Sequence, residues 1–300
     1  MKSLFKEKLS IESIGRIEII IAMTLFGTTG LFAKRISLPS AEIACFRAIL
    51  ALCSMSVVIF LTGRKKYIKH SIPKLHWLFL SGAALAFNWI FFFEAYKYTS
   101  VALTTLCEYF APTLVVAASS IFLKEKLTIK HIICFIASTA GLLMIVGVSG
   151  GRKSSDFIGI MFGIGAACFY AINVMINKIT GEIENTVKTA IQFLSAAVVL
   201  IPYVSFTCGF SILTIDKTGL ISLMILGFIN TGITYYFHFS SLSKLRGQQA
   251  AILSYIDPLV AVLVSVFVLG ESVTLYQLIG GGIILMFAFI NEIDFEKIFN

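Results

Sequence analysis

Apolar residues run along this chain in long stretches separated by short polar segments. Ten stretches approach the roughly 20 residues that a membrane-spanning helix needs: 17–33, 41–61, 75–96, 101–123, 131–148, 157–177, 187–206, 219–240, 247–269 and 275–291. They are continuous rather than alternating polar and apolar, which argues against a membrane β-barrel. The pattern predicts an all-α membrane protein of ten transmembrane helices with short connections and no soluble domain.

The polar segments set an orientation. With an even number of spans, one side carries Lys2, Lys6, Lys8 and Arg16, then Arg64, Lys65, Lys66, Lys69 and Lys74, then Lys124, Lys126 and Lys130, then Lys178, Lys188, Lys244, Arg246 and Lys297. The other side carries only Lys34, Arg35, Lys97, Arg152, Lys153 and Lys217. Cytoplasmic loops hold the excess of Lys and Arg, so both termini are expected in the cytoplasm and the chain in the cytoplasmic (inner) membrane. The basic N-terminus resembles the start of a signal peptide. The run 17–33 is longer than a usual signal core and no small-residue cleavage site follows it, so a retained first span is expected.

Composition sharpens this picture. Of 300 residues, 58% are hydrophobic and 13% charged, with a mean hydropathy of +0.92; a soluble domain carries about a quarter charged residues. The net charge of +8 is spread over loops rather than gathered on a basic face, so no nucleic-acid partner is expected. The six cysteines make no CxxC pair and read as packing residues, with neither a disulfide framework nor a metal site. The stretch GVSGGRKSS from Gly147 has the wrong spacing for a phosphate loop. It reads as a linker, so no nucleotide or other cofactor is implied.

An internal repeat is the most specific signal. YFAPTLVVAASSIFLKEKLT from Tyr109 matches YIDPLVAVLVSVFVLGESVT from Tyr255 without a gap. One register pairs Tyr109 with Tyr255, Pro112 with Pro258, Glu125 with Glu271 and Thr128 with Thr274. Extended backward, it pairs Trp89 with Tyr235 and Phe93 with Phe239. The chain therefore divides into a first five-span half, 1–148, a connector, 149–156, and a second five-span half, 157–300. An odd number of spans per half inserts the second copy upside down, giving an inverted five-plus-five repeat of the kind that recurs in secondary transporters.

The stretches FFEAYKYTSVALTTLCEYFAPTLVVAASSIFLKEKLT and SYIDPLVAVLVSVFVLGESVTLYQLIGGGIIL, with LFGTTGLFAKR in the first span and CFRA in the second, resemble the signatures of EamA-type proteins of the drug/metabolite transporter superfamily. The resemblance covers nearly the whole chain. It implies a ten-span inverted repeat and movement of amino acids, other metabolites or drugs. Phe26 stands where that family often has Trp, and the acids Glu108 and Asp257 lie outside its general signature, so the substrate does not carry over.

Candidate chemistry lies near the repeat. Pro112 and Pro258 each remove a backbone N–H, and lipid cannot satisfy the freed carbonyl; a helix break facing a polar cavity can. Ionisable groups deep in a span are costly and usually functional. Glu108 and Asp257 occupy repeat positions three apart, which share a helical face. The two acids are the expected sites for a proton or a substrate cation, unless a neighbour such as Arg47 or interhelical donors pair them. Trp89 and Tyr235, matched by the repeat, with Asn88, Tyr109, Tyr170 and Asn173, are expected to bind a planar or cationic substrate. Glu94 and Lys97 read as an interfacial pair, Arg47 as structurally paired ahead of contacting substrate, and His238 as interfacial ahead of relaying protons. Gly280, Gly281 and Gly282 read as close helix packing.

The sequence thus predicts a monomeric secondary transporter of small molecules. Its cavity would be lined by spans 1, 3, 4, 6, 8 and 9, and its halves would rock to alternate access. Proton-coupled export of an amino acid, amine or related metabolite is the first reading, with uptake second. Its other partners are protons and membrane lipid. A membrane-embedded enzyme would need a clustered His/Asp or Lys/Arg site at the interface, which is not visible; a channel would give unsaturated flux.

Overall fold

The computed structural model describes residues 2–124, 128–149 and 154–292. Glu125, Lys126, Arg152, Lys153, Lys297 and half of the connector between the halves lie outside the described residues. Among the described residues there is no strand. In chain order the helices are α1 (Lys2–Gly27 and Thr29–Ala33), α2 (Ser40–Leu61), α3 (Leu75–Tyr98) and α4 (Val101–Glu108 and Ala111–Phe122). Next come α5 (Ile129–Ser149), α6 (Ser154–Thr180) and α7 (Asn185–Thr207). Helix α8 runs through Lys217–Met224, a wide-turn stretch Ile225–Ile233, and Thr234–Leu242. Helix α9 comprises Gly247–Ser254, Ile256–Leu263 and the wide turn Val264–Val268; α10 is Leu275–Glu292.

Seven of these helices, α1 to α4 and α6 to α8, are long and apolar enough to cross a membrane. The apolar parts of α5, α9 and α10 are shorter: Ile129–Ile145, Ile252–Val268 and Leu275–Asn291. The outside of the bundle carries Leu61, Phe122, Phe206, Phe267 and Leu275, all largely exposed. Such a surface suits lipid rather than water. The protein is a multi-pass membrane protein.

Small residues set the closest approaches. Gly141 of α5 and Gly280 of α10 face each other so tightly that a Cβ on either would lie 2.6 Å from the other's carbonyl oxygen. A Cβ on Gly281 would strike Leu106, while Gly282 has open space beside it, so the packing role expected of this glycine run belongs to its first two members. Elsewhere the main core gathers Ala44, Ala48, Ala51 and Met55 of α2 with Phe193, Ala196 and Leu200 of α7 and Trp89 and Phe93 of α3.

Among the described residues three helices are interrupted by turns. Helix α1 turns at Thr28, α4 at Tyr109 and Phe110, and α9 at Tyr255. The interruptions in α4 and α9 fall on the tyrosines matched by the repeat. Pro112 lies in the first turn after its break, where its missing N–H would have no helical partner anyway. Pro258 lies three residues past Tyr255 and is buried. The carbonyl its ring leaves free, four residues back on Ser254, accepts a hydrogen bond from the Tyr109 hydroxyl at 3.2 Å.

Helix α8 adds a partner at the break in α1. In its wide stretch the hydroxyls of Thr231 and Thr234 donate five residues back, to Leu226 O and Ile229 O, each at 2.8 Å. Asn230 Nδ2 leaves the helix and donates to Leu25 O at 2.5 Å and to Thr28 Oγ1 at 2.8 Å. Leu25 O also accepts from Thr28 N at 3.1 Å and from Thr28 Oγ1 at 2.7 Å, so the Asn230 amide ties the wide turn of α8 to a turn that already closes on itself.

Candidate functional site: a polar cavity between the broken helices

The breaks converge on one cavity of about 490 Å³. All six helices expected to line it do so, and α2 adds Arg47. Of the residues singled out in the sequence, Asn88, Trp89, Glu108, Tyr109, Pro112, Tyr170, Tyr235 and Asp257 face it. Gly27 explains how α1 and α9 come so close there. A Cβ at Gly27 would lie 2.7 Å from the carbonyl oxygen of Asp257 and 2.6 Å from Val260 Cβ, so only glycine fits.

The two acids are held by different neighbours. Glu108 Oε1 accepts from Asn88 Nδ2 at 2.8 Å, and the same amide donates to Ala166 O of α6 at 2.9 Å. Asp257 Oδ2 accepts from the Tyr109 hydroxyl at 3.2 Å. Neither acid has an ion pair within 4.0 Å among the described residues. The pairing with Arg47 that the sequence left open is therefore not made. Arg47 is 5% exposed. Its Nε donates to Thr231 Oγ1 at 2.8 Å, and its guanidinium lies over Trp89 at 4.4 Å and near Phe93 at 5.4 Å. The aromatic face expected for a cationic substrate is thus covered by the protein's own cation.

The aromatic residues of the wall fall into two groups. Trp89 and Tyr235, matched by the repeat, both pack on Phe193 of α7, with ring centroids 5.7 and 5.3 Å away. Tyr109 and Tyr255, also matched, touch each other at 5.9 Å. Phe26 meets Tyr235 edge-on at 5.2 Å.

Two candidate residues are not brought to the cavity. Asn173 is buried away from it. Its Nδ2 donates to Ser81 O at 2.8 Å and its Oδ1 accepts from Asn177, in a polar network that also holds Gln192. Pro258 lies behind the lining rather than in it. His238, expected at the membrane interface, instead lines the cavity. It lies one helical turn past Tyr235 in the regular helix Thr234–Leu242 and so shares its face, and its repeat partner Phe92 lines the cavity too. Glu94 and Lys97 form the expected pair, at 2.9 Å. Thr105, Tyr96 and Met23 also line the cavity and carry no mark in the sequence that separates them from other apolar or hydroxyl residues in spans. Among the described residues no group of three or more His, Cys, Asp or Glu could share a metal ion.

Comparison with known proteins agrees with this architecture. The EamA-like transporter family model matches twice, at residues 13–147 and 157–292. The uncharacterized transporter YxxF of Bacillus subtilis is 29% identical over 92% of this chain and 88% of its own length. A probable amino-acid metabolite efflux pump of Salmonella typhimurium is 25% identical over 60% of this chain and 63% of its own. A solved crystal structure superposes with a TM-score of 0.64 at 18% identity, covering 93% of this chain and 96% of that one, which speaks to the fold alone. Two family matches on two successive stretches, a helical bundle with a lipid-suited surface and a polar cavity inside it make this chain a membrane transporter that belongs to the EamA-like transporter family.

Proposed function

We propose that the protein is a secondary active transporter that exports amino acids, amines or related small metabolites across the cytoplasmic membrane, with protons moving the other way. In this reading ten spans form two inversely oriented halves, both termini are cytoplasmic, and a single chain suffices. The observation that carries it is the meeting of two broken helices, α4 and α9, which bring Glu108 and Asp257 to one cavity. The contacts between matched tyrosines, and of Trp89 and Tyr235 with one ring, fit halves related by an axis through that cavity. The names of the Salmonella relative and of an Escherichia coli relative, also a probable amino-acid metabolite efflux pump, support export and this substrate range.

Coupling follows from cost. A charged side chain at the bilayer centre costs about 2.5–3.5 kcal/mol or more, so each acid is best occupied by a proton or a substrate cation. Competition for the same carboxylates makes one leave as the other binds, which drives the two in opposite directions. The test is transport by purified protein in liposomes. Expected are saturable counterflow of at least one amino acid or amine and its accumulation against a gradient when a pH difference is imposed. Flux that rises linearly with concentration and shows no counterflow would mean a channel, and accumulation that follows the proton inward would mean uptake.

A further inference from the structure

Among the described residues Arg47 is the one Lys or Arg in the cavity lining, and its placement goes beyond structural pairing. The Thr231 hydroxyl gives its proton to Leu226 O at 2.8 Å, so its lone pairs are turned to Arg47 Nε, also at 2.8 Å. Trp89 and Phe93 fix the plane of the guanidinium. No described acceptor takes its Nη atoms and no carboxylate lies within 4.0 Å among the described residues, yet the side chain is 95% buried by its 5% exposure and lines the cavity. One side of the guanidinium is thus anchored and the other is left with donors and no acceptor. A guanidinium so held presents parallel N–H groups that match a carboxylate bidentately. Across the same cavity stand Glu108 and Asp257, each accepting one side-chain hydrogen bond among the described residues.

We propose that the Nη edge of Arg47 receives the carboxylate of the substrate, so that the transported molecule is a zwitterion of the α-amino-acid type, its ammonium directed to Asp257 and Glu108 and its side chain to the aromatic wall. This rests on the transporter reading and narrows it: amines without a carboxylate would leave the buried guanidinium unpaired and bind on the order of a hundredfold more weakly. Thr231 is the positioning residue, aiming the guanidinium without touching substrate.

The test uses the purified full chain and two probe sets: the proteinogenic amino acids, and for each the amine that lacks the carboxylate. Binding is read as the rise in melting temperature with probe concentration, and transport as counterflow in liposomes. Expected are one or more amino acids that bind and exchange while their amines bind on the order of a hundredfold more weakly. Arg47→Gln should remove that preference by weakening the amino acid and leaving the amine unchanged, and Thr231→Val should weaken the amino acid several-fold. Where Arg47→Gln fails to fold, Arg47→Lys, which keeps the charge but lacks the bidentate edge, should fold and still lose most of the preference. The inference is overturned if amines exchange as well as amino acids, if amino acids do not bind while amines do, or if these variants weaken both probe sets equally, as a structural Arg47 would. Absence of binding and exchange with every probe in the wild-type protein would overturn the inference and, with it, the amino-acid and amine range of the proposed function.

Discussion

Helices α4 and α9 interrupt at matched tyrosines, yet they hold their acids on opposite sides of the interruption. Glu108 is the last residue of the helical piece before the break in α4. Asp257 is the second residue of the piece after the break in α9. The start of a helix favours a negative charge and its end opposes one, each by about 0.3–1 kcal/mol. The neighbours differ as well. Glu108 is tied through Asn88 to α3 and α6 within the scaffold, whereas Asp257 is tied through Tyr109 to the other broken helix. The same hydroxyl caps the carbonyl freed by Pro258, so the acid in α9 and the break in α9 answer to one side chain of α4. Two copies of one pattern have thus become an anchored acid and an acid that shares its partner with a helix break.

The largest expected effect tests that division directly. Asp257→Asn keeps the shape of the protonated acid, so it should fold and lose pH-driven accumulation at least about tenfold, equivalent to about 1.4 kcal/mol, while Glu108→Gln should lose less. If the acid serves only protons, substrate counterflow survives in Asp257→Asn; if it holds the substrate's cation, counterflow fails too. Equal losses in the two variants would erase the difference between the acids, and unchanged pH-driven transport in both would show that they do not couple protons.

A smaller difference is expected between the prolines. Pro258→Ala restores an N–H that competes with Tyr109 for Ser254 O, so transport should fall several-fold with insertion and expression intact. Pro112→Ala replaces a residue in a first turn, where the lost N–H matters little, and should cost less. Transport kinetics of both variants at wild-type levels would mean the prolines serve packing alone.

Glu271 offers a milder perturbation at the far end of α9. It accepts from the first backbone N–H of α4, Val101 N, at 2.8 Å and from Ser265 Oγ at 2.5 Å, and it pairs with Lys34. Glu271→Gln should lower the melting temperature by a few degrees, on the order of 1–2 kcal/mol. An unchanged melting temperature would mean that α4 and α9 are joined only through the cavity. The smallest effect on transport, none, is expected from Lys65→Cys and Lys217→Cys, which fix the direction of both helices. Impermeant thiol reagents should label position 65 from the cytoplasmic side and position 217 from the other; labelling of 217 only from the cytoplasm would refute the orientation. Cys53, Cys168 and Cys208 are exposed on the bundle and need replacement first.

Much of the cavity is legible in the chain because its residues break a local rule. An acid or a proline inside an apolar run stands out, and the repeat register singles out Trp89, Tyr235 and the two tyrosines. His238 and Asn173 depart from expectation: His238 shares the face of Tyr235 one turn earlier and lines the cavity with it, while Asn173 is drawn away by Ser81 O and Asn177, partners that no local pattern marks. Arg47 is visible as a charge in a span, but its partner Thr231 lies in a distant helix.

Residence in a membrane, the course of the helices and the pattern shared by the two halves are all written in the order of the residues. Hydrophobic length and repeated register belong to consecutive positions, and they survive whatever the helices pack against. Three features emerge only in the packed bundle: Tyr109 serves both Asp257 and Ser254, Asn230 ties α8 to the break in α1, and Arg47 lies on Trp89 instead of pairing with an acid. Each joins residues from different helices through donors, acceptors or ring faces that lipid cannot replace, and such pairings exist only once the helices have met.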